Sequence, residues 1–456
     1  MIPGLVLAAM SGLPDAAAAA QVEQTNVRYD EDWSQLRGEV TPDVWWRRLK
    51  DRPIDDDGDL RITLGAEARA RYEGFDNNLA GEGASADDGY FWLRVMPLAD
   101  VRAGPARGVV QGMAGYILGL DGDPGPADET GLDLLQAFAD VTLPLADRGE
   151  ITLRGGRELV ALGSERLVGS RYGPNIPQPF DGVRLMLTQG GAHIQALQLR
   201  PVATGPGNFN DKGAATRELK GVYATLPLGI SGKADVYWLR YSNDHAQFGN
   251  TTALEQRDTY GARVFGREGA LSWNWEAMLQ RGRFGGTSIR AWSAASKTGY
   301  AFDRAPLTPR LRLRANVASG DLDPDDAQLN TFNAMFPKGK YFGELTPIGP
   351  RNIINLNPSV AIDLGRGVTA ELAGGAFWRA STRDGVYDIP GQLIRSAGDV
   401  LARHIGNQLE LIVGWQPDPV LSFSASISAF APGDFMRASG SMRPIRMLGV
   451  EAMLRF

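Results

Sequence analysis

The chain has 456 residues, a formal net charge of -6, three His and no Cys, and a mean hydropathy of -0.21. That length suits several soluble domains or one large barrel. The acidic balance argues against nucleic acid as a partner, the missing thiols exclude disulfide and thiolate-metal frameworks, and no apolar run is long enough for a membrane-spanning helix.

The first segment, MIPGLVLAAMSGLPDAAAAA, has an apolar core and closes on Ala18, Ala19 and Ala20, the small-residue pattern of a signal-peptidase site. Its usual basic start is missing, the first Arg being Arg28, so residues 1–20 are expected to be the end of a longer signal peptide. Residues 21–59 are polar and acidic, carry Trp33, Trp45 and Trp46 and a short helix-like VWWRRLKD, and read as a periplasmic lead-in that tucks into a barrel mouth.

From Leu60 onward, strand-like segments alternate apolar with polar residues, the period-two pattern of a wall between two different solvents. In 60–72, Ile62, Leu64, Ala66, Ala68 and Ala70 oppose Arg61, Glu67, Arg69 and Arg71; in 310–317, Leu311, Leu313, Ala315 and Val317 oppose Arg310, Arg312, Arg314 and Asn316. A soluble sandwich does not normally turn three arginines in a row toward its interior. About eighteen such segments begin near residues 60, 90, 106, 132, 150, 181, 192, 217, 231, 257, 270, 287, 307, 353, 367, 403, 419 and 443, those near 192, 231 and 287 alternating poorly. Short connections such as 103–105, 189–192 and 365–367 alternate with long ones at 73–88, 119–131, 160–179, 201–216, 243–256, 319–352 and 380–402. The expected fold class is all-β: a transmembrane antiparallel β-barrel of about 18 strands over residues 60–456, with short periplasmic turns and long extracellular loops. It must close, because unpaired backbone groups in lipid cost several kcal/mol each. The last strand, MRPIRMLGVEAMLRF, puts Leu448, Val450, Ala452, Leu454 and Phe456 on one face and ends on an aromatic, the signal read by the barrel-assembly machinery.

Three blocks carry a family likeness: YDEDWSQLRGEV (29–40) with LRITLGAEARARYEGFDN (60–77), GRELVALGSERLVGSRYGPNIPQPFDGVRL (156–185), and TFNAMFPKGKYFGELTPIGPRNIINLNPSV (331–360). In this order they resemble the alginate-export family of bacterial outer-membrane β-barrels over nearly the whole chain after residue 28. The resemblance implies an outer-membrane location and a polyuronate cargo. Some members of that family close the periplasmic mouth with a long turn before the penultimate strand. The matching turn here, GWQPDPV, is too short to plug a pore, so closure is expected from the outer loops and the lead-in.

Catalytic chemistry is not expected. His193, His245 and His404 have no metal or triad spacing. GDLDPDDAQ (320–328) starts like a calcium loop but has Asp326 where Gly is required and Phe332 where Glu is required, so it reads as solvated carboxylates without metal or cofactor. Arginine dominates instead: of 47 basic residues seven are Lys and 40 are Arg. Many fall on polar strand faces, where they either pair with Glu67, Asp100, Asp140, Glu276, Glu371 and Glu410 or leave a basic surplus that favours anions. The expected pore-lining set is Arg69, Arg71, Arg94, Arg154, Arg184, Arg312 and Arg314 from strands, with Arg166 and Arg171 from an inward-folded 160–179 loop and Lys338, Lys340 and Arg351 from the third block. Asp181 is expected as a counter-ion for the 160–179 cluster. The alternative for Arg171 and Arg351 is that they cap carbonyls of their own loops.

These residues point to a monomeric outer-membrane channel passing an anionic polysaccharide. An alternative is an anion-preferring porin importing small organic acids, and an alternative of another class is an outer-membrane enzyme or adhesin. The partners expected are the cargo anion, outer-membrane lipid and lipopolysaccharide, the assembly machinery and periplasmic export proteins.

Overall fold

The computed structural model describes residues 22, 24–37, 44–78, 87–249 and 251–456; the expected signal segment, 1–20, lies outside them. Eighteen antiparallel strands form the wall. They are β1 (Leu60–Asp76), β2 (Asp88–Ala103), β3 (Ala106–Leu118), β4 (Gly131–Pro144), β5 (Glu150–Leu159), β6 (Pro179–Gln189), β7 (Ala192–Ala203), β8 (Arg217–Leu228) and β9 (Gly232–Phe248). The second half comprises β10 (Thr251–Glu268), β11 (Leu271–Phe284), β12 (Thr287–Ala301), β13 (Arg310–Ala318), β14 (Ile353–Gly365), β15 (Val368–Arg379), β16 (His404–Trp415), β17 (Leu421–Pro432) and β18 (Ile445–Arg455). Each pairs with its sequence neighbours, and β18 returns to β1 from Glu67↔Arg455 to Asp76↔Arg446, which leaves the barrel no open edge.

Alternation decides which side each residue faces. On β1, Thr63, Glu67, Arg69, Arg71 and Glu73 are buried inward while Leu64 and Ala70 are exposed outward. Around the wall the exposed positions include Val95, Leu153, Leu185, Val222, Trp275, Leu311, Leu372, Leu411 and Val450. Such a belt would aggregate in water and is what a lipid-facing wall requires.

At one end the turns are tight. Gln189 and Ala192 pair across Gly190 and Gly191, whose φ of 58° and 81° give the left-handed bend a two-residue hairpin needs. At the other end lie the long connections, with one correction. The expected loop 243–256 is the top of a hairpin, in which β9 and β10 shift register between Asn243 and Ala246 and keep pairing to Phe248↔Thr251. The polar run Asn243, Asp244, His245, Gln247 and Thr251 hides this strand from a hydropathy reading, because an extension standing above the lipid needs no apolar face.

The barrel is filled from both ends. Loops 160–178 and 319–352 fold inward and meet in a parallel bridge at Val168↔Phe336. Their Leu162, Leu167, Phe332, Phe336, Phe342 and Leu345 pack on inward Phe180, Leu199, Leu239, Phe377 and Phe430 of the wall. From the turn end, Val27 and Tyr29 of the lead-in pack on inward Met96, Val109, Phe138 and Leu159. Arg28 pairs with Glu31 and donates to the Phe456 carbonyl at 2.7 Å.

Candidate functional site: the charged lumen

Most lumen arginines are neutralised. Arg94 on β2 pairs with Glu67 of β1 at 2.6 Å. Arg154 on β5 grips Asp140 at 2.7 and 2.8 Å and reaches Glu158 at 3.0 Å, and Arg184 on β6 shares that Glu158 at 2.7 Å. Arg71 contacts Glu73, Glu344 and Glu451, and Lys340 of the 319–352 loop shares Glu73 and Glu344, both at 2.9 Å. These pairs are buried, so each charge needs its partner to offset desolvation.

The same network holds the loops in place. Arg69 donates to the carbonyls of Gly173 and Pro174 at 3.0 and 2.7 Å, Arg94 donates to the carbonyl of Asn175, and the Tyr172 hydroxyl donates to Glu67. On the far wall, Arg166 donates to Glu276 of β11 at 2.5 Å. The 160–178 loop therefore spans the lumen from β5–β6 to β1–β2 on one side and β11 on the other.

The inner face of β12 and β13 differs. Lys297 stands directly opposite Arg314, with Arg312 and Arg310 at the next two inward positions and Lys338 of the 319–352 loop beside them. Among the described residues the ion pair of this group is Arg312–Glu371 at 3.2 Å. Arg314 donates to the Phe342 carbonyl at 3.0 Å. Burial, with Arg314 and Arg166 adding positive charge, pushes the Lys338 ammonium down to about 7. Like charges placed opposite on one face destabilise a sheet, and here they are kept. Between the loops and the turn end, Arg69, Arg71, Arg310 and Lys340 face Glu344, Glu371 and Glu451 around a cavity of roughly 300 Å³.

Three expected residues stand elsewhere. Asp181 shares the outward parity of exposed Val183 and Leu185 and pairs with Arg157 at 2.7 Å, so it cannot orient Arg154 or Arg184, whose parity is inward. Arg171 donates to the Pro126 carbonyl at 3.5 Å. Arg351 donates to the Gly391 carbonyl at 3.1 Å and to Asn333 Oδ1 at 2.9 Å. Arg166 and Arg171 thus do not gather with Arg154 and Arg184. Two further basic residues join the inner face: Lys297, on a strand whose alternation is weak in sequence, and Arg310, whose parity with Arg312 and Arg314 is plain.

The family model described as Alginate export matches residues 60–447. None of the curated proteins compared with the chain matches it. Among solved structures, the barrel is similar to Pseudomonas aeruginosa OccK5 (OpdH), at 14% identity and a TM-score of 0.58 over 87% of this chain and 98% of that one. It is also similar to P. aeruginosa OccK2 (OpdF) in complex with glucuronate, at 13% identity and a TM-score of 0.56 over 87% and 98%. P. aeruginosa OpdK with vanillate aligns at 11% identity and a TM-score of 0.56 over 86% and 99%. At such identities the likeness establishes the fold.

Proposed function

The chain belongs to the alginate-export family and is a channel of the bacterial outer membrane, and on that premise we propose that it passes a carboxylated polysaccharide of the alginate type along the basic groups of β12, β13 and the 319–352 loop. One observation carries this reading: Lys297, Arg314 and Lys338 converge without a carboxylate in ion-pair range among the described residues. A guanidinium fork accepts a carboxylate through two parallel hydrogen bonds. In a wet lumen each contact contributes only about 1 kcal/mol, rising to about 4 kcal/mol where the walls lower the effective dielectric to 20. Several such sites in file hold a polyanion and let it slide.

A second reading, uptake of small organic acids, is favoured by the two loops that cross the lumen and by the monomeric carboxylates, glucuronate and vanillate, named for similar barrels. Planar-bilayer recording separates them. Under a salt gradient the wild type should prefer anions, and Lys297→Glu with Arg314→Glu should move the reversal potential toward cations; an unmoved potential would remove the basic wall from the account. Oligouronate should then interrupt the current for longer than glucuronate does. Block by glucuronate alone would select the second reading.

A further inference from the structure

Above the apolar band on β8 to β12, the outer face of the barrel turns basic. Lys220, Arg240, Asp258, Arg281 and Arg290 stand opposite one another in a single cross-strand row, and Arg283 lies one outward position higher on β11. All project away from the lumen, because their adjacent residues Leu219, Leu239, Arg257, Gln280 and Ile289 are the buried inward ones.

The next row toward the turn end is Val222, Trp238, Tyr260, Leu279 and Trp292, an apolar girdle with three aromatics. Below it the outward positions of β11 are Ala277, Trp275, Trp273 and Leu271, none of them charged. From Leu271 to Arg281 the strand rises about 33 Å, or about 25 Å along the membrane normal at a tilt near 40°, which is the height of the apolar band of such barrels. The basic row therefore sits where acyl chains end and head groups begin.

Part of this charge is already matched: Asp258 grips Arg240 at 2.8 and 2.7 Å, and Glu218 lies 3.7 Å from Lys220. Arg281 donates only to the Gln280 carbonyl, and neither it nor Arg283 or Arg290 has a carboxylate in ion-pair range among the described residues. The other side of the barrel is different. There the outward pair at the loop end of β18 and β1 is Arg446–Asp76 at 3.2 Å, which cancels.

We propose that Arg281, Arg283 and Arg290 bind the phosphates of the outer-leaflet glycolipid, lipopolysaccharide, with its acyl chains lying on Trp292 and Leu279 below. Guanidinium and phosphate match in charge and in bidentate geometry, and the aromatic row places the lipid at the right depth. The site lies on the lipid side of the wall and does not depend on the cargo.

The test titrates the full-length protein in detergent with lipid A carrying both phosphates, with lipid A lacking them and with inorganic phosphate, counting bound molecules by native mass spectrometry. Bis-phosphorylated lipid A should bind, and Arg281→Glu with Arg290→Glu should weaken it roughly tenfold or more, while Arg446→Glu and the channel's reversal potential stay as in the wild type. Equal binding of the two lipids, displacement by an equal concentration of inorganic phosphate, or unchanged affinity in the double variant would overturn the proposal. If the double variant fails the heat-shift test of a folded barrel, Arg281→Gln with Arg283→Gln and Arg290→Gln is measured against the same criteria.

Discussion

On the wall made by β4, β5 and β6, Arg154 and Arg184 stand among Asp140, Glu158 and Gln195, and the Arg154 guanidinium lies 4.2 Å from the Tyr29 ring centre. On the wall made by β12 and β13, four inward cations have one paired carboxylate, Glu371. The same residue types occur on the same kind of strand with opposite chemistry. Inward arginines are therefore not in themselves a selectivity device. Where carboxylates surround them they fasten loops and lead-in to the barrel, and where cations outnumber the paired carboxylates they leave field in the lumen.

The largest contrast should appear in stability. Arg154→Ala strips Asp140 and Glu158 of a buried partner and should cost about 3–5 kcal/mol in urea unfolding from lipid vesicles, with the anion preference of the surviving channels intact. A loss of anion preference at wild-type stability would erase the distinction between the two walls.

Lys297→Glu should act the other way. It turns a like-charge pair with Arg314 into an opposite-charge pair, adding about 0.2–1 kcal/mol to stability, and it removes two units of positive field, lowering the anion-to-cation permeability ratio roughly thirtyfold at about 1 kcal/mol per unit. Destabilisation by this substitution would mean that Lys297 has a buried partner after all.

A smaller effect is expected from pH. With its ammonium lowered to about 7, Lys338 is mostly charged at pH 6 and mostly neutral at pH 8, so anion preference should fall, by about fourfold, as pH rises through 7. The slope around pH 7 should shrink in Lys338→Met, and a slope unchanged in that variant belongs to another group.

Least of all should follow from Arg171→Glu with Arg351→Glu. Both guanidiniums face carbonyls of loops, so folding yield should drop while the reversal potential stays within error of the wild type. A shift toward cations would bring these two residues back into the permeation path.

Much of the architecture was legible because strand identity is local. Period-two alternation in segments such as 310–317 marks a wall, short and long connections order its ends, and parity alone assigns Arg310, Arg312 and Arg314 inward. That parity also assigns Asp181 outward beside Val183 and Leu185, so its expected role in the lumen was excluded by a rule already in use. Lys297 was harder to see. Its strand runs TSIRAWSAASKTGYA, where small residues of either polarity blur the alternation, and only pairing with β11 and β13 fixes its face.

By itself the sequence determined a closed outer-membrane barrel, its family, the inward fold of a loop too long for a hairpin, and an abundance of arginine. Only the tertiary structure decided which of those arginines is free. Glu67 meets Arg94 across 27 positions, Glu276 meets Arg166 across 110, and Lys340 meets Glu73 across 267. No periodicity reports such separations. They arise because closure of the barrel and the inward path of two loops bring distant segments across a common lumen, and in that confined space the partner, rather than the residue type, sets what each charge does.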